Sequence, residues 1–146
     1  MAAHHCRVSQ AAANAACNAL VDLSDVGGAG TLKIYTGSEP ANCDAAAATL
    51  VATCVLPNPA FGAAAWSSGD SASKAALSST ATDANATGNA SAVTHFRLVN
   101  NAGTAFLQGT CSATAGDDLV LNNATITAGS VVDITALNVL VPINQA

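Results

Sequence analysis

Along Leu32–Gly37 (LKIYTG) and His95–Asn100 (HFRLVN), apolar and polar residues alternate and then stop at a turn-former. Period-two alternation marks a strand with one buried face. Leu32 and Ile34 point one way, Lys33 and Tyr35 the other. Phe96 and Leu98 alternate with His95 and Arg97, which puts His95 on the exposed face. The run NNAG at 100–103 is a hairpin turn signal, with TAFLQGTC as the partner strand. In TLVATCVL, Leu50, Ala52, Cys54 and Leu56 share one face, and Thr49, Val51, Thr53 and Val55 the other. AGDD turns into LVLNN.

Two stretches are less regular. PNPAFGAAAW opens with two prolines, so it reads as an edge or a loop entering a strand. In the last long strand, SVVDITALNVLVP, the phase changes midway: Val132, Ile134 and Ala136 are apolar on even positions, Leu137, Val139 and Val141 on odd ones. A slip of one residue moves the apolar set to the other face. Either a bulge lies near Ala136 or both faces are covered there; without a bulge, a neighbouring subunit can supply the cover.

Residues 9–23, SQAAANAACNALVDL, predict one helix, with Ser9 as N-cap. Alanine is the best helix former. Val8, Ala12, Ala16, Ala19, Leu20 and Leu23 fall on one stripe, and Cys17 lies well off it. Gly27, Gly28 and Gly30 end the helix. GSEPANCDAAAA is a connection with one helical turn after Pro40. The Ser/Ala/Thr/Asn-rich tract 67–92 reads either as one polar strand near Lys74–Ser79 or as loop.

The expected fold is all-β: a single antiparallel β-sandwich of six to eight short strands with one amino-terminal α-helix. Residues 1–30 form the arm, helix and Gly-rich linker, and 31–146 the sandwich. With 146 residues the chain has the size of one domain. Hydrophobic residues reach 51% but aromatics only 3%, so alanine supplies much of the apolar share and buries little area per residue. Such a thin core gains from association with neighbours.

Charge narrows the function. A formal net charge of −5 with four Lys and Arg is poor material for phosphate contacts, which disfavours nucleic acid as a partner. No apolar run reaches membrane-spanning length, and MAAHHCRVSQAAANAAC lacks the apolar segment of a secretion signal, so use without export is expected. The three Asn-x-Ser/Thr sequons, at Asn85, Asn89 and Asn123, are then chance products of composition.

Candidate chemistry is sparse. His4, His5 and Cys6 together offer soft-metal donors, but a closed zinc site takes about four ligands, usually in two separated pairs. Asp117 and Asp118, with Asn122 or Asn123, lack the spacing of an EF-hand loop. SSGDS at 67–71 is no nucleophile elbow, and GGAG at 27–30 has no following Lys-Ser/Thr to make a phosphate cradle. No catalytic residue, metal or cofactor is assigned. The five cysteines are more informative, because an odd number leaves one thiol free or bonded to another chain. Cys54 and Cys111 lie on apolar strands, as core filler or as a mutual pair if their strands are neighbours. Cys6, Cys17 and Cys43 lie off the expected core faces and are the candidates for an interchain disulfide.

The string GAGTLKIYTGSEPANCDAAAATLVATCVLPNPAFGAAA, continued by HFRLVNNAGTAFLQGT and DLVLNNATITAGSVVDIT, resembles a family of small proteins encoded in the structural-gene regions of tailed phages and prophages. The shared words TLKIYTG, NPAFG, HFRL and ITAG are structural rather than catalytic. The resemblance implies a virion component made in the host cytoplasm, foremost a capsid decoration or cement protein. Its partners would be the major capsid protein and copies of itself. A tail, collar or fibre-associated β-domain is the alternative, and a surface carbohydrate-binding β-sandwich a further one. The latter is weakened by a single Trp and a single Tyr for sugar stacking. An enzyme comes last.

Overall fold

The structure, a computed structural model, describes residues 8–142. It is all-β with one amino-terminal helix. Helix α1 spans Gln10–Val21 and continues into a 3-10 turn, Asp22–Asp25. Ser9 is its N-cap: its extended backbone starts the helix, and its hydroxyl accepts the Ala12 N–H at 3.2 Å. The buried face differs from the expected stripe. Ala13, Cys17 and Val21, spaced four apart, face inward, while Ala12, Ala16 and Ala19 are exposed and Val8 and Leu23 substantially so. In a helix that is mostly alanine, one face hardly differs from another in hydrophobicity. The face that turns inward is the one whose Cys17 and Val21 reach the core cluster.

Ten strands follow: β1 Thr31–Thr36, β2 Thr49–Val55, β3 Ala65–Ser67, β4 Ala72–Ala76, β5 Ala81–Asp83, β6 Val93–Val99, β7 Ala105–Ser112, β8 Leu119–Val120, β9 Val132–Ile134 and β10 Asn138–Pro142. That exceeds the six to eight expected, because the tract 67–92 holds β4 and β5 as well as loop. Seven strands form one sheet in the order β8-β7-β6-β1-β2-β5-β9, and three form a second, β10-β4-β3. Pairing is antiparallel except for β7 with β8, which run parallel, so the sheet is mixed rather than purely antiparallel.

The β6–β7 hairpin forms around the expected turn, with its register skipping Phe106. Asn100 and Thr104 close its turn, with Gly103 at φ 89°. Between β1 and β2 the register skips Val51, so Val51 and Ala52 are both buried and the expected alternation of β2 breaks there. Gly30 enters β1 where a Cβ would stand 2.6 Å from both the Ser24 and the Val99 carbonyl oxygens, an approach only glycine permits.

The phase change at Ala136 has a different cause from either expectation. The chain leaves β9, at the edge of the seven-stranded sheet, crosses at residues 135–137, and enters β10 in the other sheet. Ile134 is buried before the crossing, Leu137 and Val139 after it. Each half obeys period two for its own sheet. Helix α1 packs on the three-stranded sheet, against β4, β10 and β3. One core cluster joins Cys17 and Val21 of the helix, Ala75 and Val139 of the small sheet, and Leu32, Ile34, Phe96 and Leu98 of the large one.

Candidate functional site

Two features draw polar or exposed apolar groups together. The first is on the outer face of the large sheet. The register aligns Lys33 with Arg97 and Gln108, and Tyr35 with His95 and Thr110, across β1, β6 and β7. Alternation assigns this face to solvent. Yet His95 is fully buried, and Arg97 and Tyr35 are 5% and 8% exposed. The cover comes from the β1–β2 connection, residues 37–48. Arg97 Nη2 donates to the Asn42 carbonyl (3.1 Å), and Arg97 Nε to Gln108 Oε1 (2.9 Å). Gln108 Nε2 donates to the Pro40 carbonyl (2.8 Å) and to Glu39 Oε1 (3.0 Å). The Thr94 hydroxyl donates to the Gly37 carbonyl at 2.7 Å. The helical turn expected after Pro40 is absent. Instead Asn42 Oδ1 accepts the backbone N–H groups of Asp44 and Ala45, a side-chain-made turn.

Beneath this strap the His95 ring stacks on Tyr35, centroids 5.1 Å apart and planes 9° from parallel. Thr94 Oγ1 lies 2.9 Å from His95 Nδ1, and His95 Nε2 is buried without a hydrogen-bond partner. Burial pulls the imidazole pKa down and Arg97 works the same way, against the opposing pull of Glu39. Burial also raises the Tyr35 pKa. These residues escape sequence reading, since nothing in GSEPANCDAAAA announces a strap, and Arg97 meets Gln108 only because the register shifts past Phe106.

The second feature is a groove of about 550 Å³ between the β7–β8 end of the large sheet and β10. Phe96, Leu107, Leu119, Leu137 and Val139 line its floor. Val120 and Leu140 stand exposed at its rims, and Asp117 and Asp118 sit at one side. β10 pairs only with β4, so its other edge is free of a strand partner among the described residues. Asp118 Oδ2 accepts the Thr110 N–H and hydroxyl, and Asp117 accepts the Ser112 hydroxyl. Neither carboxylate meets a cation: the ion pair among the described residues is Lys74–Asp70.

The expected site residues scatter. Cys6, His4 and His5 lie outside the described residues. Cys17, expected to face outward, is buried on the inner side of α1, where its thiol donates to the Val139 carbonyl at 3.7 Å. It cannot reach another chain while the helix is docked, and that corrects its candidacy for an interchain bond. Cys43 is half-buried on the strap. Cys54 and Cys111 are buried as free thiols on strands that β1 and β6 separate, so the condition for a mutual pair, neighbouring strands, is not met. Burial, reinforced by nearby carboxylates and, at Cys111, by the Cys54 thiol, pushes each of them up to about 12. Asn123 Oδ1 accepts the Thr125 N–H, while Asp117 and Asp118 accept from Ser112 and Thr110 of β7, so these groups do not converge on a calcium site. His95, expected on the exposed face, is buried by the strap. Among the described residues no group of three or more His, Cys, Asp or Glu is placed to hold a metal ion, and no helix is long and apolar enough to cross a membrane.

Comparison with protein-family models, curated proteins and solved structures returned no match.

Proposed function

We propose that this chain is a structural, non-catalytic protein of a tailed-phage particle, foremost a capsid decoration protein that adheres to shell subunits. The observation that carries the reading is the groove between β8 and the free edge of β10, with its apolar floor and acidic rim. A free strand edge takes up an extended chain through main-chain hydrogen bonds, and pockets for alternate side chains give specificity. The occupant is an extended segment of the major capsid protein, apolar at alternate positions and carrying a Lys or Arg at one end. Charge argues for the basic residue. Nine carboxylates face three cations (Lys33, Lys74 and Arg97) among the described residues. Lys74 is taken by Asp70, and Arg97 is buried. Asp117 and Asp118 have no ion-pair partner among the described residues, so a basic residue on the incoming segment would find both carboxylates at the rim. Many weak contacts of this kind, engaged at once around a shell, hold by multiplicity.

The sequence resemblance to phage structural-region proteins supports the same reading. The test is the copy number of this chain in purified particles. One copy for every few shell subunits is the expected result. A single ring of copies moves the protein to the collar or tail, and absence from particles overturns the virion reading.

A further inference from the structure

We propose that residues 37–48 are an acid-released strap: protonation of His95 beneath it frees the strap from the sheet and uncovers the Tyr35–His95–Arg97 row. The inference is independent of the particle reading.

The geometry makes a charged His95 costly only while the strap is closed. Its ring is fully buried, and Nε2 has no acceptor waiting for a second ring proton. The groups facing it come from four elements. β1 supplies Tyr35, stacked on the ring, and, one step along the same face, Lys33. β6 supplies Arg97, which repels an imidazolium, and β7 the neutral Thr110. The strap supplies Glu39, the one opposing attraction, whose Oε1 is already bonded to Gln108; Cys43 and Asp44 are its other titratable groups. Burial outweighs Glu39 in this balance, so the closed form favours neutral His95.

The cheapest relief is local. No strap residue joins a strand ladder, and side-chain bonds from Thr94, Arg97 and Gln108 tie it to the sheet. Segments held this way open at lower free energy than the sheet beneath them. Opening gives water to Nε2 without unpairing β1 from β6. The sign follows from proton uptake. The open form binds a proton near the ordinary imidazole pKa of about 6.5 and the closed form only below it, so closure is complete above that value and weakens as pH falls through it.

The test is amide hydrogen exchange of the full chain, corrected for the intrinsic pH dependence, between about pH 7.5 and pH 5. The expected result is a loss of protection confined to the strap that grows as pH falls below about 6.5. His95→Phe keeps an aromatic ring against Tyr35 but cannot take the proton, and should abolish the loss; His4→Gln and His5→Gln together should leave it intact. Should His95→Phe not fold, the wild-type NMR titration decides: strap amide shifts must move with the His95 midpoint, and that midpoint must lie below 6.5. Unchanged strap protection, an equal loss in His95→Phe, a loss spread over β6, or a His95 midpoint at the ordinary value would each overturn the proposal.

Discussion

The ring of Tyr35 lies flat on the ring of His95, centroids 5.1 Å apart, on a sheet face that alternation assigns to water. The pair is buried because Arg97 and Gln108, its neighbours on β6 and β7, hold the 37–48 strap above the sheet. A polar row thus does the work of a second small core.

Arg97 should be the most costly single truncation in that row. Arg97→Ala leaves the Gln108 amide oxygen without its donor and removes the strap's bond at Asn42. Loss of hydrogen bonds from a buried charged group should cost about 2–4 kcal/mol, read as a lower urea midpoint with an unchanged slope.

Thiol chemistry should separate the cysteines. In the native protein at about pH 8, Cys43 should alkylate readily, whereas Cys17, Cys54 and Cys111 should resist until the chain unfolds. Peptide mapping after a labelling pulse checks this. Fast labelling of Cys17 in the folded protein would mean that α1 leaves the small sheet.

Stability should fall on the alkaline side. Cys54 and Cys111 ionise only at about 12 when folded, but near 8.5 when unfolded. Their contribution is complete below the unfolded value and is lost as pH rises toward the folded one. Tyr35, also raised, acts in the same direction at higher pH. Urea titrations at about pH 8 and pH 10 should show the loss, and Cys54→Ala should make it shallower.

Gly30→Ala should be severe although it adds one methyl group. The new Cβ would collide with two backbone oxygens at 2.6 Å, and neither can swing aside as a side chain could. A cost of roughly 2–3 kcal/mol, in the range of overpacked cores, should lower the thermal midpoint. Ser9→Ala, which removes only an exposed cap bond, should cost about 1 kcal/mol.

At the groove, Leu140→Lys places a charge where the proposed capsid segment lies, on a side chain 45% exposed. The variant should fold normally and lose at least tenfold in particle occupancy; Leu23→Lys, a comparable change away from the groove, should not. Occupancy unchanged by Leu140→Lys would remove the groove from the contact.

Much of the architecture is legible in the sequence because it is local. The β6–β7 hairpin is written in its alternation and in NNAG, and the helix start in Ser9. The phase change around Ala136 is a true signal of two environments, but sequence cannot tell a bulge from a change of sheet. The helix face failed because alanine on every side gives no contrast. His95 and Arg97 failed for another reason. Their cover is set by side-chain bonds to a connection some fifty residues earlier, which strand periodicity does not encode. The groove was equally hidden, since its walls come from strands of two different sheets.

That crossing also ties the fate of the two sheets together. β9 completes the edge beside β5 and β10 the edge beside β4, and only residues 135–137 separate them. A single short segment therefore covers one strand edge in each sheet, and whatever pulls it away bares both at once. Copies in that state expose unpaired strands to one another, and a chain with so few charges does little to keep them apart.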